Sequence, residues 1–178
     1  MKLLLLMLLP TVLLCQQKSL NTIDFVDLKK YMGVWYEIAK IPNSFQSNCV
    51  KGTTAKYYLQ ENGEIKVVNS CYEADGELNI ANGVARVVDN KTNSKLEVSF
   101  VSLFGWNLFW GDYWIIGLDE NYEWAIVGHP KRKYGWILSR TLTLSEDTMG
   151  LINDFLRNEG YDPTKFEKTD QSKSKKQN

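Results

Sequence analysis

Three cysteines and one histidine are the side chains of this 178-residue sequence best suited to nucleophilic or soft-metal chemistry, and their spacing supports little of either. His129 stands alone, so no His/Cys cluster with metal-ligand spacing can be drawn, and no metal or other cofactor is implied. Cys71 with His129 could form a thiolate–imidazole pair, which defines an enzyme alternative acting on lipids. Against it, Cys49 and Cys71 are an even pair once Cys15 is set aside, and in an oxidising compartment they are expected to join as a disulfide. That bond would consume the thiol and stabilise the fold by roughly 3 kcal/mol. Titration of free thiols without reductant separates the two readings.

The compartment follows from the N-terminal end. Lys2 is followed by an apolar run from Leu3 to Leu14, too short for the roughly 20 residues of a membrane span, so residues 1–15 read as an export signal. Cys15 supports two outcomes: it closes the signal of a secreted, extracellular protein, or it becomes a lipidated first residue that anchors the protein to a membrane. The domain is expected over 16–166, with a polar, disordered tail over 167–178. With 21 basic and 21 acidic residues there is no electrostatic footprint for nucleic acid, and a hydrophobic content of 44% suits one domain with a substantial core.

Stepping through the domain, β-branched and aromatic residues recur at alternate positions over 33–42, 51–60, 64–72, 78–89, 95–101, 112–118, 122–128 and 134–140. These are eight expected strands. Asn62-Gly63, the segment 89–93 and the segment 119–121 are tight, polar turns, whereas 43–50, 73–77, 102–111 and 129–133 are longer connections. In an up-and-down sheet the tight turns share one end and the longer connections the other, as a closed cup requires. Ser145 is an N-cap for a helix whose Met149, Ile152, Phe155 and Leu156 share a face, and Gly160 and Pro163 end it. The fold class is therefore all-β: an eight-stranded antiparallel up-and-down β-barrel with one C-terminal α-helix packed on its outside, over Tyr36, Ile38, Trp124 and Ile126.

Gly33-Val34-Trp35-Tyr36 resembles the G-x-W-Y signature that opens the first strand of lipocalins. Gly111-Asp112-Tyr113-Trp114 and Trp136-Ile137-Leu138-Ser139-Arg140-Thr141 resemble the family's two other blocks, in order and spacing. The likeness covers about 23–166. It is strongest to the branch of bacterial outer-membrane lipocalins, plant temperature-induced lipocalins and apolipoprotein D. What it implies is a carrier for a small hydrophobic ligand, such as a fatty acid or lysophospholipid, serving lipid transport or membrane-lipid protection. Gly33, Trp35 and Arg140 have a structural role in this reading: both strand ends fall at the tight end, where a guanidinium stacked on indole contributes about 0.5–2 kcal/mol.

If Trp35 faces inward, alternation turns Glu37, Ala39, Ile41, Tyr57, Asn69, Val98, Phe100, Tyr113 and Trp136 inward as well. Of these, Glu37, Ala39, Tyr57, Asn69, Val98, Phe100, Tyr113 and Trp136 are the candidate ligand-binding residues. Small inward residues at Ala39, Ala55, Ala85 and Ala125 argue for residual space, and the few polar ones could orient a headgroup. A buried Glu37 must be hydrogen-bonded or neutralised, by an internal partner or by the ligand. The connection 102–111 is crowded with Leu103, Phe104, Trp106, Leu108, Phe109 and Trp110, which suits a lid, a membrane-interface contact or a weak dimer surface on an otherwise monomeric protein. A protein-interaction module using this loop is a third class of function. Finally, a straight ladder would set Cys49 opposite Asp75 or Gly76, so the chain before Gly52 must bend for the disulfide to close.

Overall fold

A computed structural model describes residues 19–172; the expected export signal 1–15, with Cys15, and the last part of the tail, 173–178, lie outside the described residues. A one-turn helix α1 (Leu28–Tyr31), capped by the Asp27 carboxylate, leads into β1 (Gly33–Lys40). There follow β2 (Lys51–Leu59), β3 (Ile65–Tyr72), β4 (Leu78–Val87) and β5 (Lys95–Ser99), then a hairpin of β6 (Val101–Leu103) and β7 (Trp106–Leu108). The chain continues through β8 (Gly111–Leu118), β9 (Trp124–Gly128), β10 (Gly135–Ser139), α2 (Glu146–Asn158) and a short β11 (Glu167–Lys168).

The strands β1, β2, β3, β4, β5, β8, β9 and β10 are joined in sequence order, and β10 pairs back onto β1, so the sheet is a closed eight-stranded antiparallel barrel. Alternation sorts the side chains into two clusters. Inside are Trp35, Tyr57, Ile65, Val67, Ala85, Leu96, Ile115, Ala125, Val127 and Leu138. Outside, Ile38, Ile126 and Ile137 meet Ile152 and Leu156 of α2, with Trp124, Met149 and Phe155 at the margin. Helix α2 is capped by Ser145, whose Oγ accepts from Thr148 N, and its apolar stripe accounts for its position on this patch.

The 49–71 disulfide is formed, with Cα atoms 5.5 Å apart. The required bend is a bulge between Lys51 and Thr54, where Gly52 takes φ of +65° and an added Cβ would come within 2.9 Å of the Tyr72 ring. Three expectations are corrected. The run 95–101 is not one strand: β5 stops at Ser99, whose hydroxyl bonds to the carbonyl oxygens of Val101 and Leu108 and so turns the chain into the separate hairpin. The connection 102–111, expected to hold no strand, accordingly carries a hairpin of its own, in which β6 and β7 pair through a Phe104-Gly105 turn with both φ positive.

The third correction concerns the tail, whose described part, 167–172, is held in place. β11 pairs with Ala39 and Lys40, Thr169 N donates to Ile38 O, and Gly52 N donates to Asp170 O. Gln171 Nε2 reaches the carbonyl oxygens of both Glu37 and Thr53. The segment thus fills the gap where β1 and β2, paired only from Gly33↔Tyr57 to Tyr36↔Thr54, diverge toward the open end. Unpaired strand edges supply the bonds that a polar composition alone does not reveal.

Candidate functional site

At its narrow end the barrel is plugged. The Trp35 indole N–H donates to Tyr31 O, and the Arg140 guanidinium lies 3.8 Å from the centre of the Trp35 ring. Arg140 also donates to the carbonyl oxygens of Val34, Lys30, Tyr31 and Met32, at 2.7–3.1 Å, tying α1 and β1 to the end of β10. Gly33, at φ of +98°, lets the chain turn from α1 into β1 beside that guanidinium.

Above the plug lies a cluster of three phenols. Tyr113 Oη is 2.8 Å from Tyr31 Oη and 2.9 Å from Tyr57 Oη. Burial raises all three acidities' midpoints, that of Tyr57 to about 12, so the trio is uncharged at neutral pH. Tyr31 is a residue that alternation within the barrel strands could not find, because it enters from α1. Its signal was the Asp27 cap, followed by an aromatic one turn before Trp35.

Toward the open end the inner residues become half-exposed. Ala55, Asn69, Val98, Tyr113 and Trp136 are all intermediate, whereas their neighbours deeper in the barrel, Tyr57, Val67, Leu96, Ile115 and Leu138, are buried. The inner wall is therefore buried in its lower half and partly exposed at several positions of its upper half, where Glu37, Thr53 and Cys71 stay buried. Asn69 stands directly between Ala55 and Ala81 on the flanking strands, and its Oδ1, like Thr53 Oγ1, is buried with no hydrogen-bond partner.

Glu37 is 3% exposed and its charge is fully attended. Oε1 accepts from Lys40 Nζ at 3.0 Å and from Thr169 Oγ1 at 2.6 Å; Oε2 accepts from Gln46 Nε2 at 2.8 Å. Gln46 Oε1 in turn accepts from Trp136 Nε1 at 2.9 Å. A buried carboxylate is tolerable only with such a set of donors, and Lys40, Gln46 and Thr169 are partners the alternation pattern missed. They arrive through a bulge, a short turn and the C-terminal segment.

Two candidate residues are not where alternation puts them. The register of β1 on β10 shifts between Glu37 and Ala39, so Ala39 pairs with Ile137 and joins the outer cluster beneath α2, followed by Ile41. One extra residue in a strand reverses the facing of everything after it. Phe100 lies beyond the last rung of β5, is 41% exposed, and sets its ring over Gly83 at the rim, where an added Cβ would come within 2.7 Å. Glu37, Tyr57, Asn69, Val98, Tyr113 and Trp136 remain on the inner wall.

The hairpin β6–β7 projects its large side chains into solvent: Phe104 is 93% exposed, Phe109 83% and Trp106 74%, with Leu103 also exposed. Leu108 is half-buried, and Trp110 stacks under Arg86 at 4.1 Å. His129, at the mouth, has Nε2 3.7 Å from Asp112 Oδ2; burial holds its pKa below the ordinary histidine value despite that carboxylate. With Cys71 in the disulfide, the thiol that His129 would have activated is absent.

Comparison with known proteins agrees with this geometry. A family model for a lipocalin-like domain matches residues 26–171. Temperature-induced lipocalin-1 of Arabidopsis thaliana is 36% identical over 160 residues, 88% of this chain and 86% of that protein. Outer membrane lipoprotein Blc of Escherichia coli K12 is 37% identical over 150 residues, 84% and 81% of the two chains. Apolipoprotein D of Macaca fascicularis is 37% identical over 152 residues, 82% and 77%. Among solved structures, insecticyanin from the tobacco hornworm Manduca sexta superposes with a TM-score of 0.71 at 24% identity, covering 88% of this chain and 86% of that one, a likeness of fold.

Proposed function

We propose, since the chain belongs to the lipocalin-like family, that it is a carrier which holds one small lipid in the open half of its barrel and exchanges it at a membrane surface. The observation that carries the reading is the change in burial along the inner wall: Tyr57, Val67, Leu96, Ile115 and Leu138 are buried, whereas Ala55, Asn69, Val98, Tyr113 and Trp136, nearer the open end, are partly exposed. Family membership supports the carrying of small hydrophobic molecules in general. The lipid class, and transport as opposed to protection of membrane lipids, belong to the proposal.

The membrane part rests on the hairpin. Phe104 and Phe109 both have positive φ, 49° and 56°, a region unfavourable for bulky side chains, and both are almost wholly exposed. Aromatic side chains held out in this way suit the interface of a bilayer, where Trp and Phe are favoured. Export, with the protein either released or anchored through Cys15, accords with relatives named an outer membrane lipoprotein and an apolipoprotein. A binding role without catalysis fits a barrel whose Cys71 is bridged.

The test is titration with an uncharged solvatochromic dye such as Nile red. Saturable binding at one site per chain, lost in Ala55→Trp while far-ultraviolet circular dichroism is unchanged, is the expected result. A folded parent that binds no dye and yields no lipid on organic extraction ends the carrier reading.

A further inference from the structure

We infer that the headgroup taken by this site is uncharged and bears a hydroxyl, as in a long-chain alcohol or a monoacylglycerol, and that it enters first, toward Asn69. The inference rests on the carrier reading and narrows it. Its starting point is the pair of buried oxygens without partners, Asn69 Oδ1 and Thr53 Oγ1. Thr53 is 5% exposed, and a buried polar atom left unpaired costs free energy that a bound molecule recovers by supplying the bond.

The strand neighbours of Asn69 are small. On β2 the inner column runs Ala55, Tyr57, with the buried Thr53 at the bulge just before them, and on β3 it runs Asn69, Val67, with Ala55 directly opposite Asn69. The other neighbour of Asn69 is Ala81. Two alanines thus flank the amide, Tyr57 lies on a diagonal, and Thr53 stands two residues before Ala55 at the bulge.

The phenols below add a donor. Three hydroxyls carry three protons, and the two contacts among Tyr31, Tyr113 and Tyr57 use two of them. One O–H remains for a ligand oxygen. A hydroxyl headgroup meets all of these demands, because it accepts from the spare phenol and donates to Asn69 or Thr53. It also suits either orientation of the amide, since it can donate and accept.

Charge is what the wall does not provide for. Glu37 is closed by Lys40, Gln46 and Thr169, so neither its negative charge nor the positive charge of Lys40 is left to pair with a ligand ion. A carboxylate or phosphate at the depth of Asn69 would be desolvated without a counter-charge. The competing arrangement is an anionic head held at the mouth near Lys131 and Lys133, with the acyl chain pointing down.

Displacement of Nile red by three ligands with the same twelve-carbon chain decides between them: monolauroylglycerol, laurate and lauroyl lysophosphatidylcholine, at neutral pH and below their micellar concentrations. Monolauroylglycerol should displace the dye at about tenfold lower concentration than either other ligand, a factor fitting one or two hydrogen bonds made only by the neutral head. Asn69→Leu and, separately, Thr53→Val should reduce that advantage at least threefold, with thermal stability of the empty protein unchanged or raised. Laurate binding as tightly as monolauroylglycerol overturns the inference and leaves the carrier reading intact. So does a stability loss in both variants with the ligand order preserved, which would mean the two oxygens are served by internal water. Bound dye that none of the three ligands displaces also overturns the inference alone, whereas a folded protein that binds no dye and yields no lipid on extraction removes it together with the carrier reading.

Discussion

Replacing Arg140 should cost about 3 kcal/mol of folding stability, and the structure says how that total arises. The guanidinium stacks on Trp35 at 3.8 Å, worth about 1 kcal/mol in a partly screened site. Of its four carbonyl contacts at 2.7–3.1 Å, those to Tyr31 and Met32 are partly buried and contribute about 1 kcal/mol each, while the exposed ones to Val34 and Lys30 add little. For a domain of this size the loss lowers the melting temperature by roughly 6–12 °C. Urea unfolding of Arg140→Met and Arg140→Lys, with the disulfide intact, is the assay. Lysine keeps the charge yet cannot span four carbonyls in a plane, so it should recover less than half of the loss. A double-mutant cycle with Trp35→Leu isolates the stack, expected at about 1 kcal/mol of coupling. If Arg140→Met unfolds within 0.5 kcal/mol, roughly the noise of such measurements, of the parent, the plug is decoration and the reasoning about the narrow end is wrong.

Other consequences follow from named contacts. Because burial raises the pKa of Tyr31, Tyr57 and Tyr113, the folded protein keeps protons that the unfolded chain releases near pH 10. Stability is then fully present below about pH 10 and falls as pH rises toward about 12. Phenolate absorbance near 295 nm should show this group titrating late and together with unfolding; early, non-cooperative titration of every tyrosine would contradict it. Reducing the Cys49–Cys71 bond should cost about 3 kcal/mol in urea, checked against a Cys49→Ser, Cys71→Ser variant. Phe104→Ser with Phe109→Ser should abolish binding to anionic phosphatidylglycerol–phosphatidylcholine vesicles in flotation while leaving Nile red binding to the free protein intact; unchanged flotation would reject the hairpin as the membrane contact. Thr169→Val should destabilise by about 1–2 kcal/mol by taking one donor from the Glu37 carboxylate.

Much of the barrel was legible because its signals are local. Alternation located the eight strands to within a few residues, turn chemistry separated the narrow end from the wide one, and Ser145 fixed the start of α2. What escaped has no local signature. The bulge that turns Ala39 outward depends on how β1 meets β10, some hundred positions away, and nothing within Glu37-Ile38-Ala39 announces it. Phe100 continues the alternation of β5 in sequence, yet the strand ends one residue earlier because the Ser99 hydroxyl takes the hairpin carbonyls. The segment 167–172 reads as solvated tail since its order comes from unpaired edges on β1 and β2 and not from apolar residues of its own.

These three departures bear on a single region, and that is informative about how the cup is made. A barrel of eight strands with complete pairing to both ends would have its upper half drawn in as tightly as its lower half, where side chains fill the interior. Here β1 leaves β2 after Tyr36, and β5 leaves β4 after Val84↔Ser99, so the wall opens on two sides. The first opening is closed again by the C-terminal segment, with Thr169 and Gln171 bonded to Glu37 and Thr53, so that there β1 and β2 are bridged through a third stretch of chain and not by direct pairing. The second is left to the hairpin, which turns outward. The shape of the upper wall therefore depends on polar contacts at the rim as much as on small residues within. Changing Gln171 should alter ligand affinity from outside the cavity, which a barrel closed by direct pairing would not permit.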